Sequence, residues 1–233
     1  MLREAVSVIV PTRNEAHNIV RFLSSIPHDV PVIVVDASDD ETPALVAQMR
    51  PDAHVIRQPS TVTEARQIGA AHARTRWLLF TDADVSFADD YFDHLARFRP
   101  SPSLGLIFGP KDTRDAYRAY HRWFEIGQRL FARLGIPAAS GSNLIIRRDA
   151  FEHVGGFDLT LTCNEDSEIA WRIKRAGYAA HFAPELRVFS HDHRRLRRGV
   201  IRKVMHSSLR CTLLYFNVMP RRWRQRDWGY WSR

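Results

Sequence analysis

Thr81-Asp-Ala-Asp84 places two carboxylates at i and i+2, directly after the apolar run Trp77–Phe80. As the chain leaves a strand into a turn, Asp82 and Asp84 can hold a hard divalent cation, Mn2+ or Mg2+, that also takes phosphate oxygens. Such a cation would neutralise a pyrophosphate and stabilise it as it leaves. Two further polar clusters, Thr12 to Glu15 and Asp36 to Glu41, also follow short apolar runs. Asp and Asn favour turns, so each cluster alone also reads as a solvated turn. Three of them at the ends of three apolar runs weigh towards a site. His191-Asp-His193 follows a fourth run, and His191 either completes the ligand set of the cation or lies on the surface as one of 11 histidines. Asn164-Glu-Asp-Ser-Glu168 opens an amphipathic stretch. Acidic residues at a helix start are routine, and the same helix dipole would keep Asp166 ionised, as a general base requires. In Ser140-Gly-Ser-Asn143, Gly141 either lets the backbone approach a ligand closely or serves a simple strand-entry turn.

The elements that must position these residues alternate in the first half. Residues 6–10 and 31–35 are short, β-branched and unbroken, which suits strands buried on both faces. His54–Arg57 and Trp77–Phe80 read as two more strands. Between them, residues 16–26 and 62–74 read as helices, and Thr42 can cap a third that carries Leu45, Val46 and Met49. In the second half, residues 87–98, 115–134 and 164–176 read as helices, the last capped by Asn164 and ended by Gly177. Leu104–Phe108, residues 144–146 and residues 186–189 read as strands. The pattern predicts a single α/β domain with a mostly parallel central sheet flanked by helices. In such a sheet the ligand crevice lies at the carboxyl ends of the strands, where the three polar clusters fall.

The chain has 233 residues, 45% hydrophobic and 26% charged, enough to bury a core. Cys163 and Cys211 are its only cysteines, which excludes a disulfide scaffold or a Cys-based zinc site and fits a reducing cytoplasmic setting. No apolar run is long enough to span a membrane, and the run at residues 6–10 is too short for a secretion signal. G-x-G-x-x-G, the P-loop, H-E-x-x-H and G-x-S-x-G are all missing, so the chemistries those motifs serve lose support. The net charge of +8 is uneven. Residues 1–186 carry 21 Lys/Arg against 24 Asp/Glu, whereas residues 187–233 carry 13 against 2. The body is slightly acidic and the tail strongly basic, which suggests a surface that meets something anionic.

Taken together these motifs resemble family 2 inverting glycosyltransferases. Val6-Ser-Val-Ile-Val-Pro-Thr-Arg-Asn-Glu15 resembles their opening strand and nucleotide loop, and Val34-Val-Asp-Ala-Ser-Asp-Asp-Glu-Thr42 their second strand and its loop. Thr81-Asp-Ala-Asp84 resembles their metal motif. Ser140-Gly-Ser-Asn143, with Phe151-Glu-His-Val-Gly-Gly-Phe-Asp158, resembles the segment under the donor sugar, and Asn164-Glu-Asp166 the acidic motif of the base. The resemblance implies a nucleotide-diphospho-sugar transferase fold, a nucleotide-sugar donor (usually a UDP-sugar), a divalent cation and inversion at the anomeric carbon. By position, Pro11, Thr12, Glu15 and Asp36 would hold base and ribose. Asp84 would be the main metal ligand, with Asp82 nearer the ribose or the metal waters, and His191 would match a metal or pyrophosphate contact. Asp166 would deprotonate the acceptor hydroxyl, and Gly141, Ser142, Asn143 and Glu165 would line the donor and acceptor. The Q-x-x-R-W motif of processive polymer synthases is absent, which disfavours long-chain synthesis.

The expected division is a catalytic domain at 1–193 and a basic amphipathic segment at 194–233. In that segment Val200, Val204, Leu209, Leu213, Leu214 and Phe216 share roughly one face flanked by arginines. This suits a helix lying in an anionic membrane interface, peripheral on the inner face of the cell membrane, with a lipid-linked acceptor. It equally suits a helix packed on the body. Two other readings remain. A nucleotidyltransferase would need a Gly-rich first loop, which Pro11-Thr-Arg-Asn-Glu15 lacks. A nucleic-acid-binding protein would use the tail arginines with Trp223, Trp228, Tyr230 and Trp231, although no nucleic-acid partner is expected.

Overall fold

The computed structural model describes residues 5–226. Its centre is a seven-stranded sheet. One half is parallel, in the order β3 (His54–Arg57), β2 (Val32–Asp36), β1 (Val6–Thr12), β4 (Trp77–Phe80). The connections are α1 (Ala16–Ser24), α2 (Thr42–Met49) and α3 (Val62–His72). Then come β5 (Val85–Phe87), α4 (Tyr91–Arg97), β6 (Leu104–Phe108), β7 (Lys111–Asp112) and α5 (Arg118–Arg133). They are followed by β8 (Leu144–Arg147), α6 (Arg148–His153), α7 (Glu165–Arg175), β9 (Ala179–Phe182) and β10 (Val188–Ser190). Beyond β4 the sheet continues β8, β6, β9. β8 runs antiparallel to both neighbours, and every other pairing in this sheet is parallel.

β1 and β2 are buried along their whole length, which is why they read as unbroken apolar runs. Side chains alternate across the sheet, so the two faces have different partners. Val6, Val8 and Val10 pack with α1, α2 and α4, while Ile9 faces α3, α6 and α7. A Cβ on Gly69 of α3 would stand 2.4 Å from Ile9 Cγ2, so a glycine is what lets α3 lie this close to β1.

A second, three-stranded sheet in the order β5, β10, β7 is not expected from the sequence. Its strands are two or three residues long, too short to show a period. It takes the start of the expected helix at 87–98, which begins instead at Tyr91. It also matters for chemistry: β10 runs antiparallel to β5, which brings His191 beside Asp84. Two expected caps differ as well. Thr42 is the first helical residue rather than the cap, and its hydroxyl donates to Asp40 Oδ1 while accepting from the Glu15 amide. Asn164 precedes α7 with φ 63°, and its side chain turns to the tail instead of capping the helix.

The tail is helical: α8 (Arg194–Arg197), α9 (Val200–Tyr215) and α10 (Arg221–Arg224). Trp228, Tyr230 and Trp231 lie outside the described residues. Leu214 and Met219 pack against Leu161 and Trp171 of the body. Three arginines pin the contact. Arg194 Nη2 donates to Glu15 Oε1 at 2.9 Å, and Arg224 Nη1 to Asp158 Oδ2 at 2.8 Å. Arg210, 2% exposed, donates to Asn164 Oδ1 at 3.1 Å, Trp223 O at 2.5 Å and Cys163 O at 3.3 Å. Arg210→Ala is therefore expected to cost about 2 kcal/mol in urea denaturation. It should also let trypsin cut residues 198–226 well before the body. Unchanged protection would show that the apolar contacts alone hold the tail.

Candidate active site

The loops after β1 and β2 are locked together. Thr12 and Asp36 are register partners on adjacent strands, and the Thr12 hydroxyl donates to Asp36 Oδ1 at 2.7 Å. The Ser38 hydroxyl donates to the same oxygen at 2.7 Å, and Arg57 Nε approaches Asp36 Oδ2 at 3.6 Å. Asn14 takes φ 57° and bonds across: its amide donates to Ser38 Oγ and its Oδ1 accepts from the Asp39 amide, both at 2.9 Å. Glu15 accepts from Asn18 Nδ2 at 2.7 Å and from Arg194. Thr12, Glu15 and Asp36 thus stand together at the carboxyl ends of β1 and β2, with Pro11 just before Thr12 in β1.

The Asp-x-Asp turn is built on a buried arginine that the sequence reading missed. Arg66 of α3 is 2% exposed. Its Nη2 donates to Asp82 Oδ1 at 2.7 Å, and its Nη1 donates to Glu165 Oε1. One guanidinium therefore ties the Asp-x-Asp turn to the start of α7. The signal available in the sequence was a charge among the small residues Val62, Thr63, Ala65, Gly69 and Ala70 of one helix. The segment from Gly141 to Asn143 crosses over this pair. A Cβ on Gly141 would fall 2.4 Å from Arg66 Nη1, so a side chain here would have to push the guanidinium off its two carboxylates. The Gly141 amide donates to Asp166 Oδ2 at 2.6 Å, and the next residue, Ser142, donates through Oγ to Asp82 Oδ2 at 2.5 Å. Asn143 is fully buried. Its amide donates to Leu186 O at 2.7 Å and accepts from the Tyr91 hydroxyl at 2.8 Å, joining β8 to the strap before β10.

Electrostatics separate the two aspartates of the turn. Burial opposes ionisation of Asp82, but Arg66, Lys111 and the Ser142 hydrogen bond together hold its carboxyl below the usual range. Burial pushes Asp84 up to about 6, and the charges of Asp82, Glu15 and Asp192 add to that push against the pull of Lys111. Asp84 Oδ1 is buried without a hydrogen-bond partner, with Lys111 Nζ 3.8 Å away. An orphaned carboxylate oxygen fits a cation ligand. The His191 amide donates to the Asp84 carbonyl at 2.9 Å, while its Nε2 pairs with Ser86 Oγ at 2.8 Å. Among the described residues no three His, Cys, Asp or Glu side chains converge on one point. That is compatible with Mn2+ or Mg2+ held by one or two carboxylates, with phosphates and water completing the shell. A cavity of about 560 Å³ lined by Ser25, His28, Arg50 and Phe92 opens at the far ends of α1 and α2, away from these loops.

The mostly parallel α/β sheet, with polar loops at the carboxyl ends of β1, β2 and β4, has the fold of the nucleotide-diphospho-sugar transferases. The chain belongs to glycosyl transferase family 2, whose family model matches residues 7–155. A relative named pre-mycofactocin glycosyltransferase from Mycobacterium tuberculosis is 28% identical over 86% of this chain and 46% of its own length. The succinoglycan biosynthesis protein ExoA of Rhizobium meliloti is 24% identical over 73% of this chain and 58% of its own. The chain thus spans about half the length of the curated relatives it matches. Among solved structures, the Pyrobaculum calidifontis mannosyltransferase PcManGT, in complex with GDP-Man and Mn2+, superposes with a TM-score of 0.65. That match has 23% identity and covers 95% of this chain and 72% of that one. S. aureus TarS 1-349 with UDP-GlcNAc gives 0.64 at 19% identity, covering 81% and 58%.

Glu165 carries a consequence for stability. Burial, with the charges of Asp166 and Asp82, raises its carboxyl from 4.5 to about 7 despite Arg66. Folding then takes up a proton in that window, so this contribution to stability is lost as pH rises from 4.5 through about 7. Glu165→Gln removes the titration. Urea midpoints from about pH 5 to about pH 8 should show wild type losing ground to the variant up to about 7, with a constant difference above. A difference independent of pH throughout would place the Glu165 carboxyl in the ordinary range.

Proposed function

We propose that the chain transfers a sugar from a nucleotide-sugar donor to an acceptor hydroxyl by direct displacement with inversion. The observation that carries this reading is that Gly141 and Ser142, adjacent in sequence, hold Asp166 and Asp82 respectively. A donor lying along this segment would have its diphosphate towards the Asp-x-Asp turn and its anomeric carbon towards Asp166. Asp166 is half-buried, and its other oxygen accepts from the Ser167 amide at 2.7 Å. Two backbone N–H bonds fix a carboxylate in place as a base. The acceptor oxygen attacks the anomeric carbon, its proton goes to Asp166, and the bond to the diphosphate breaks on the opposite face. Asp84, with Asp82 beside it, would hold a divalent cation, which supplies positive charge to the departing diphosphate. Pro11, Thr12, Glu15 and Asp36 would take the nucleoside, with UDP the favoured carrier, and His191 would stand beside the metal side of the site.

In this reading residues 1–193 are the catalytic domain and residues 194–233 its basic amphipathic segment, peripheral on the cytoplasmic face of an anionic membrane. The tail stripe is divided. Leu214 faces the body, while Ile201, Val204, Met205, Leu209 and Phe216 are exposed. α5 adds a second exposed stripe, Trp123, Ile126, Leu130 and Leu134. Lys203 of α9 lies over the Tyr120 ring near the start of α5, and Ile136 just beyond α5 packs on the cluster that holds Leu214, so α9 meets both ends of the α5 segment. Among the described residues no helix is long and apolar enough to cross a membrane. Apolar stripes flanked by arginines favour binding in the headgroup region, with each basic residue near the surface adding about 1 kcal/mol. A lipid-linked or hydrophobic acceptor would meet the site there.

Three measurements test these proposals. Asp166→Asn should lower kcat by ~10²–10⁴ with little change in donor affinity. Asp84→Ala should instead remove manganese-dependent binding of UDP in calorimetry. Near-wild-type turnover of Asp166→Asn would reassign the base. For the membrane, the full chain should sediment with phosphatidylglycerol-rich vesicles at low salt, and Trp123→Ser with Ile201→Ser should release it. A chain that stays in the supernatant would refute the docking face.

A further inference from the structure

The turn that leads into α7 is held from the tail. Thr162, Cys163 and Asn164, which run directly into Glu165, each bond to it. The Thr162 amide donates to Arg224 O at 3.2 Å. The Cys163 carbonyl accepts from Arg210 Nη2 at 3.3 Å. Asn164 makes two such contacts: Arg210 Nε donates to its Oδ1 at 3.1 Å, and its Nδ2 donates to Cys211 Sγ at 3.5 Å. Arg210 is itself fixed by a further bond, to Trp223 O. Asn164 stands at φ 63°, in the left-handed region, and its side chain does not cap α7. Asn reaches this region more readily than other non-glycine residues, often through a hydrogen bond to its own stretch of backbone. Here its amide is turned to the tail instead.

The direction in which the chain leaves Asn164 sets the first turn of α7, and Asp166 lies in that turn. Both its oxygens are committed. Oδ2 accepts from the Gly141 amide at 2.6 Å and Oδ1 from the Ser167 amide at 2.7 Å. One amide belongs to the segment before β8 and the other to α7, so keeping both bonds depends on where α7 starts. Two guanidinium groups, each 2% exposed, fix that start: Arg66 of α3 through Glu165, and Arg210 of α9 through Asn164. We propose that Arg210 is a positioning residue for sugar transfer, holding Asp166 on target through Asn164. The proposal rests on the reading of Asp166 as the base. It brings α9 into the working site, because misplacing a reacting group by about 1 Å can cost ~10²-fold in rate while donor binding is left intact.

The test uses the full chain with manganese and with water in place of the acceptor. Water attacks the anomeric carbon, its proton passes to Asp166 and the diphosphate leaves, so hydrolysis calls on the same base as transfer. Nucleotide released from UDP-glucose, UDP-N-acetylglucosamine or GDP-mannose reports kcat. Arg210→Lys keeps the charge and loses the planar fork. Asn164→Gly takes φ 63° without strain and leaves Arg210 its bonds to Cys163 O and Trp223 O. Each variant should lower kcat by ~10-fold to ~10²-fold, with affinity for the nucleoside diphosphate and manganese within about twofold of wild type. Added to Asp166→Asn, neither should lower kcat further, since no base is left to aim. Residue-resolved hydrogen exchange gives a readout free of turnover. The Gly141 and Ser167 amides should exchange about tenfold faster or more in both variants. Unchanged exchange at these two amides in either folded variant overturns the proposal, and so does a loss of kcat that persists in full on top of Asp166→Asn. Failure of the transfer reading looks different: wild type would then release no nucleotide from any of the donors, while exchange at Gly141 and Ser167 still decides whether Arg210 holds Asp166.

Discussion

A single guanidinium buried between two carboxylates sets the geometry on which the rest of the site depends. Arg66 sits at 2% exposure with Asp82 on one side and Glu165 on the other. A charge taken out of water at that depth is tolerable only with well-placed partners, and removing one partner leaves an uncompensated charge worth several kcal/mol. The arrangement is therefore close to all-or-none. It requires α3 to be held against β1, which Gly69 permits and the Thr61–Glu64 capping box anchors. It also requires a strap without a side chain over the guanidinium, which Gly141 provides. The consequence for function is that the turn bearing Asp84 and the helix bearing Asp166 cannot drift apart independently.

The antiparallel strand β8 makes this strap possible. A parallel strand beside β4 would enter the sheet at the edge away from the crevice. β8 enters at the crevice, with Leu144 paired to Phe80 just before the Asp-x-Asp turn. The residues leading into it, Gly141 to Asn143, consequently lie across the top of the sheet. The small sheet complements it from the other side. β5 leaves directly from Asp84, and β10 returns beside it to deliver His191 and then the tail. One reversed strand and one short sheet thus bring Gly141 to Asn143 and His191 to the two sides of the Asp-x-Asp turn.

What the sequence made legible follows from this construction. β1, β2 and β4 were readable because full burial demands unbroken apolar runs, and their loops because polar residues cluster where those runs stop. The Asp-x-Asp turn, the strap and the acidic start of α7 were therefore visible as motifs. Their connection was not. Arg66 is one of 34 basic residues, and its burial depends on a contact 99 positions away. Lys111 sits on a strand of two residues that no periodicity can reveal. Thr42 and Asn164 carry the residue types of caps, yet tertiary partners claim their side chains: Glu15 and Asp40 for the first, Arg210 and Cys211 for the second. Propensity describes what a residue does locally, and these residues are used over long range.

The basic tail shows the same division between local pattern and long-range use. Its charge excess suggested a surface that meets something anionic, but the arginines divide by role. Arg194, Arg210 and Arg224 reach inward to Glu15, to the loop before α7 and to Asp158. Arg197, Arg198, Arg202, Arg221 and Arg222 remain exposed. The inward set places α9 against the turn that carries Asp166, through Asn164 and Cys163. The position of Asp166 is then coupled to the docking of the tail. A surface that binds the exposed arginines and the apolar residues of α9 would act on a helix that already braces that turn. Because Arg210 bonds the residues immediately before α7, tail docking and ordering of that turn draw on the same hydrogen bonds.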